Sequence, residues 1–210
     1  MTEWVVVVPV KGSTASKTRL ADFPLAPEER RRLALAFALD SIAAIQAVPD
    51  VRELLVVTSD PVAADAVTQL GAVTIPDPGD GLNAAIRAGL DHAARTHPAA
   101  ARVVITADLP TLATADVVFA LGLAAEHPLS FVADALGLGT TTIAAQPGLD
   151  IVPEFGEHSA ARHAAAGLVS LAVPPESTLR RDVDTPSDLE AALRSGVGPH
   201  TARALAHPDV

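Results

Sequence analysis

The sequence contains no cysteine, which excludes a disulfide, a thiolate metal site and a cysteine nucleophile, and agrees with a reducing compartment. Lysine is almost missing too. Lys11 and Lys17 are the only two in 210 residues, and the rest of the positive charge is arginine. With 15 basic residues against 25 acidic ones and a net charge of -10, the chain lacks the basic surface that a general nucleic-acid binder needs. Aromatic residues are only 3%, so the core has to be built from Ala, Val and Leu, a mix that suits helices packed on a parallel sheet. No apolar run approaches the roughly 20 residues of a membrane span. The first run, residues 4–10, is too short for a signal-peptide core followed by a cleavage site. The expectation is a soluble protein of the cytoplasm with no membrane or nucleic-acid partner. The length predicts one domain, over residues 1–196, and the lack of periodicity over 197–210 a loose or weakly docked tail.

Both lysines fall in one stretch, WVVVVPVKGSTASKTRL at residues 4–20, where an unalternating β-branched strand runs into a small-residue loop. A strand of that composition is covered on both faces and belongs at the centre of a sheet. Lys11, Lys17 and Arg19, set among Gly12, Ser13, Ser16 and Thr18, bring ammonium groups and backbone N–H groups to one place, as a polyphosphate requires. A solvated strand-to-helix loop is the plain alternative. The loop is not a P-loop, since Ser16 precedes Lys17 where glycine is needed, and it lacks the dinucleotide GxGxxG pattern.

Downstream the chain alternates strand and helix, which predicts parallel pairing with right-handed crossovers. Helices are expected from Pro27 to before Pro49, over 61–70, over 82–97, and from a Thr114 cap to about residue 126; strands are expected over 53–59, 73–75 and 102–106. From residue 129 the rhythm changes to two short strands around Gly137 to Gly139. A short helix near 156–163 with Ser159 as its cap, a strand over 169–173, and a helix opened by Thr185, Pro186 and Asp188 then follow.

Asp108 follows the buried VVIT strand, at the end where open α/β sheets bind ligands. A magnesium ion needs further oxygen ligands, and Asp182 and Asp184 can supply them: in an extended segment both point to one face and Val183 to the other. A solvated edge paired with Arg180 and Arg181 is the alternative for those two. Thr140, Thr141 and Thr142 fit either a strand start or a ligand contact. Asp134 and Asp80 fit polar turns. No HExxH or paired zinc spacing occurs among the seven histidines, and His158 and His163 are read as surface residues.

The segments PVKGSTASKTRL, GDGLNAAI, ITADLPTL, VADALGLGTTTI, FGEHSAARH and LRRDVDTPSDL, in this order over residues 8–189, resemble the guanylyltransferases of coenzyme F-420 biosynthesis. The likeness is nearest to the phosphoenolpyruvate guanylyltransferases of actinobacteria, and next to the archaeal 2-phospho-L-lactate guanylyltransferases. One departure is Glu157-His158, bulky where the pattern favours small residues. The resemblance implies a three-layer α/β/α sandwich with a mostly parallel mixed sheet, of the nucleotide-diphospho-sugar transferase type. It implies GTP over the first loop, with Lys11, Lys17 and Arg19 on the phosphates and Gly12, Gly81 and Asn83 completing the nucleotide site. It implies Mg²⁺ on Asp108, Asp182 and Asp184, with Lys11, Lys17 and Asp108 as the catalytic set. Thr141, Gly156 and Ser159, assisted by Thr140, would hold phosphoenolpyruvate. A glycosyltransferase of the same fold and a catalytically silent nucleotide sensor are the other classes, and the three remaining acidic positions disfavour the sensor.

Overall fold

The computed structural model describes residues 2–10 and 25–206. Gly12, Lys11, Lys17 and Arg19 lie outside the described residues. Among the described residues seven strands form one sheet, β1 (Trp4–Pro9), β2 (Val51–Thr58), β3 (Val73–Pro76), β4 (Ala101–Ile105), β5 (Leu129–Ala133), β6 (Thr140–Ala145) and β7 (Val169–Ser170), in the order β3-β2-β1-β4-β6-β5-β7. The first four pair in parallel, as the strand–helix alternation predicts. β6 runs antiparallel to both β4 and β5, and β5 and β7 are parallel. The change of direction follows from connection length: a six-residue turn, 134–139, joins β5 to β6, too short for a crossover.

Helices α1 (Pro27–Gln46), α2 (Pro61–Gln69) and α4 (Thr114–Ala124) cover one face, and α3 (Leu82–Thr96) and α5 (Ser159–Ala165) the other. Along β1 the side chains alternate between the two cores. Trp4, Val6 and Val8 join Ile42 and Ile45 of α1, while Val5 and Val7 join Ile86 and Leu90 of α3. Both faces of β1 are therefore dry, which is why its sequence does not alternate. Close approach decides one residue of α3: a Cβ on Gly89 would lie 2.5 Å from Val7 Cγ1 and 2.9 Å from Val57 Cγ2.

Three local expectations are corrected. Ala113, not Thr114, is the N-cap of α4, because the Thr114 hydroxyl donates to Ala44 O of α1 instead (2.9 Å). The last strand is shorter than residues 169–173, ending at Ser170. The tail, expected to be loose or weakly docked and without regular structure, contains a helix, α7 (Pro199–Ala206), docked on α1. Its first turn gives the N–H groups of His200 and Thr201 to the two carboxylate oxygens of buried Asp40, each at 2.9 Å. The helix α6 (Pro186–Ser195) starts as predicted, with Thr185 and Asp188 in a reciprocal capping box. No described helix is long and apolar enough to cross a membrane.

Candidate active site

The segment 106–110, which leaves β4, is held from below by α1. Leu109 N–H donates to the Ser41 hydroxyl (3.2 Å), whose own proton has Phe37 O at 2.9 Å and Leu109 O at 3.1 Å. Ser41 is fully buried, and a polar residue inside the apolar run of α1 is the only sequence signal that could have singled it out.

The second acidic segment arrives through a 3-10 turn, Thr178–Arg180. Asp116 of α4 anchors that turn, its Oδ2 accepting from Thr178 N (2.7 Å) and Thr178 Oγ1 (2.6 Å). Arg180 then reaches sideways to the carbonyls of Ala133 and Asp134 at the end of β5. Among the described residues it forms no ion pair with Asp182. Val183 buries its side chain among Leu33, Phe37, Leu189 and Ala192, and its N–H donates to Asp108 O at 2.9 Å. Asp182 and Asp184 are left on the other side of this extended segment. Asp184 N–H and Thr185 N–H both donate to Asp188 Oδ2 (3.2 and 2.8 Å), which fixes the exit into α6.

One carboxylate oxygen from each of Asp108, Asp182 and Asp184 lies within 4.8 Å of the others. Burial, then the negative charges of Asp108, Asp184 and Asp134, push the Asp182 carboxyl up to about 7. A half-buried all-oxygen donor set whose charges oppose one another fits a hard divalent cation, which would relieve that repulsion.

Beside this group stands the β5–β6 hairpin. Asp134 closes its turn, accepting from Leu138 N and Gly139 N (2.9 and 2.8 Å), as the polar-turn reading expects. A bulge follows: Ala133 pairs with Thr140 and Val132 with Thr142, so Thr141 has no partner on β5. Thr141 O accepts instead from Thr106 N (2.9 Å), two residues ahead of Asp108. The buried hydroxyls of Thr106 and Thr141 have no hydrogen-bond partner among the described residues.

The helix α5 packs against the same hairpin, with Ala160 N donating to Leu138 O (3.1 Å). Ser159 is its first residue and not its cap; His158, at φ 52°, holds the cap position. Gly156 sits just before at φ 126°, a backbone that an L side chain rarely adopts. The structure therefore brings Thr140, Thr141, Gly156 and Ser159 together around the hairpin and the start of α5. His163 is a correction: expected at the surface, it is fully buried and bonded to Thr140 Oγ1 at 2.9 Å.

Gly81 caps the start of α3. Asn83, expected at the nucleotide, applies both ends of its carboxamide to one backbone unit. Nδ2 donates to Phe155 O (3.1 Å) and Oδ1 accepts from Phe155 N (2.9 Å). It thus ties the first turn of α3 to the residue before Gly156.

This mixed sheet, with its carboxylate group beyond the end of β4, has the fold of the nucleotide-diphospho-sugar transferases. A protein of Desulfovibrio desulfuricans G20 assigned to the nucleotide-diphospho-sugar transferases shares the fold at a TM-score of 0.70 and 15% identity, over 99% of this chain and 96% of that one. Rv0371c of Mycobacterium tuberculosis H37Rv, solved in complex with manganese, superposes at a TM-score of 0.61 and 22% identity, over 93% and 100%. Residues 4–207 match the family described as Guanylyl transferase CofC like, and the chain belongs to that family. It is 46% identical to the phosphoenolpyruvate guanylyltransferase of Streptomyces scabiei (strain 87.22), over 97% of this chain and 96% of the relative. With the enzyme of the same name from Thermomonospora curvata the identity is 47%, over 97% and 89%.

Proposed function

We propose that this protein transfers GMP from GTP to the phosphate of phosphoenolpyruvate. An oxygen of the acceptor phosphate forms a bond to the α-phosphorus of GTP, the bond from that phosphorus to the α,β-bridging oxygen breaks, and pyrophosphate leaves with the bonding pair. The product is enolpyruvyl-diphospho-5'-guanosine. The acceptor is already anionic, so no general base is required, and catalysis consists of in-line positioning and neutralisation of charge.

The observation that carries this reading is the meeting of Asp108, Asp182 and Asp184 next to the hairpin and loop of Thr140, Thr141, Gly156 and Ser159. The three carboxylates would hold Mg²⁺, which supplies charge stabilisation between nucleotide and acceptor. Lys11, Lys17 and Arg19, with Gly12, would take the GTP phosphates, and Gly81 and Asn83 the nucleoside side. Thr141, Gly156 and Ser159, assisted by Thr140, would take the carboxylate and phosphate of the acceptor. The substrates are metabolites of the cytoplasm, and the protein is assigned there on the same reading.

The test supplies GTP and Mg²⁺ with equal concentrations of phosphoenolpyruvate and 2-phospho-L-lactate, and identifies the guanylylated product by mass. The enolpyruvyl product is expected to dominate. A dominant lactyl product overturns the acceptor assignment and leaves the reaction type standing, while absence of pyrophosphate release with either acceptor overturns the reaction.

A further inference from the structure

His163 lies on α5, four residues after Ser159, with no access to solvent. Its ring is packed by Phe131 (centroids 6.0 Å apart) and, edge to face, by Phe155 (5.3 Å). Both ring nitrogens are in use. The backbone N–H of Glu154 points at Nε2 (3.1 Å), and Nδ1 faces the Thr140 hydroxyl at 2.9 Å.

Which nitrogen carries the proton follows from the donors. A backbone amide can only donate, so Nε2 must offer its lone pair. Burial, then the neighbouring Arg162 charge, pushes the ring pKa down to about 4, so the imidazole is neutral at pH 7 and has a single N–H. That proton sits on Nδ1 and is donated to Thr140 Oγ1. The Thr140 proton is thereby turned away from His163, and among the described residues no acceptor receives it. With the opposite tautomer Thr140 would donate inward and present only lone pairs, which repel an anion.

We propose that His163 is a positioning residue of the acceptor subsite: by donating to Thr140 it makes that hydroxyl a donor toward the carboxylate or phosphate of the acceptor, and by accepting from Glu154 it sets the backbone that leads into Gly156. The proposal rests on the acceptor site proposed above. It also gives the hairpin bulge a use, since the shift of register at Ala133 and Thr140 places the hydroxyl beside the ring. The Asn83 clamp on Phe155 holds the same backbone from the other side.

The test has an arm that needs no activity. Nitrogen-15 spectra of the imidazole in the ligand-free protein at pH 7 should report a neutral ring protonated on Nδ1; an Nε2–H tautomer or an imidazolium overturns the proposal. In the kinetic arm, His163→Leu should raise KM for phosphoenolpyruvate by about ten- to a hundredfold, the range for one hydrogen bond to a charged group, with KM for GTP changed less than about twofold. His163→Asn, whose amide nitrogen falls near Nδ1 and can donate to Thr140, should recover most of that loss. In Thr140→Val, adding His163→Leu should cost clearly less than it does in the wild type, because the two residues share the Thr140 hydroxyl and only the Glu154 contact is left to lose. A lowered melting temperature with both KM values unchanged, an equal rise in both, or full additivity overturns the proposal. If the wild-type protein fails to turn over phosphoenolpyruvate, the functional reading falls by itself, and the nitrogen spectrum still decides the tautomer on which His163 depends.

Discussion

Val183 donates its backbone N–H to the carbonyl of Asp108 at 2.9 Å, joining two segments that are 75 residues apart in sequence. That one bond sets the spacing of the acidic group. Asp108 belongs to one segment of the contact, and Asp182 and Asp184 flank the donor on the other, with the Val183 side chain buried beneath them.

Asp108→Asn keeps the side-chain shape and removes one of the charges that would hold the metal. The expected outcome is a folded protein with guanylyl transfer reduced by at least about a hundredfold, measured by pyrophosphate release at saturating Mg²⁺. Turnover close to wild type would remove Asp108 from the metal site.

The raised carboxyl of Asp182 makes stability depend on pH. Its folded pKa, about 7, stands above the ordinary carboxylate value of 3.8, so the folded state holds this proton more tightly than the unfolded chain. The stability contributed by that proton is fully present below pH ~4 and is lost as pH rises through ~7. Asp182→Asn, neutral throughout, should therefore melt at a higher temperature than wild type at pH 8 in EDTA, with the gap closing by pH 5. Magnesium should raise the wild-type melting temperature more at pH 8 than at pH 5 and leave the variant nearly unmoved. A gap that widens toward low pH contradicts this account.

Lys11 and Lys17 can be tested together. Replacing both by Met should weaken GTP binding by about tenfold or more, the loss expected when charge-assisted contacts to phosphate are removed. Thermal stability without ligand should stay within the small range of surface substitutions. Calorimetry of GTP binding reads the first effect and thermal melting the second. Global unfolding of the double variant would make the loop structural.

For the C-terminal helix, Asp40→Ala removes both acceptors from the first turn of α7. The expected cost is about 1–2 kcal/mol, the upper range for loss of an N-cap, or a fall of a few degrees in melting temperature. Asp40→Asn keeps one carbonyl acceptor and should lose less. Hydrogen exchange at His200 and Thr201 should speed up in Asp40→Ala, and unchanged protection there would count against the cap.

Local regularities determined much of this protein in advance. Residues 4–9 had to be a central strand because a run of valines without alternation is stable only when both faces are covered. Asp182 and Asp184 had to share a face in an extended segment because its side chains alternate with period two, and Thr185 to Asp188 is a capping box whose partners are three residues apart. The tertiary structure decided what depends on distant groups. Thr114 looks like a cap, but the carbonyl of Ala44 claims its hydroxyl. Residues 199–206 carry no strong pattern as a tail, yet become a docked helix because Asp40, 160 residues earlier, accepts from its first turn. Ser41 and His163 read as ordinary polar residues, and Asn83 as a nucleotide contact, until the fold places Leu109, Thr140 and Phe155 against them. A buried polar side chain takes its role from the partner that satisfies it, and the approach of a partner from another element is set by packing, not by neighbouring residues in the chain.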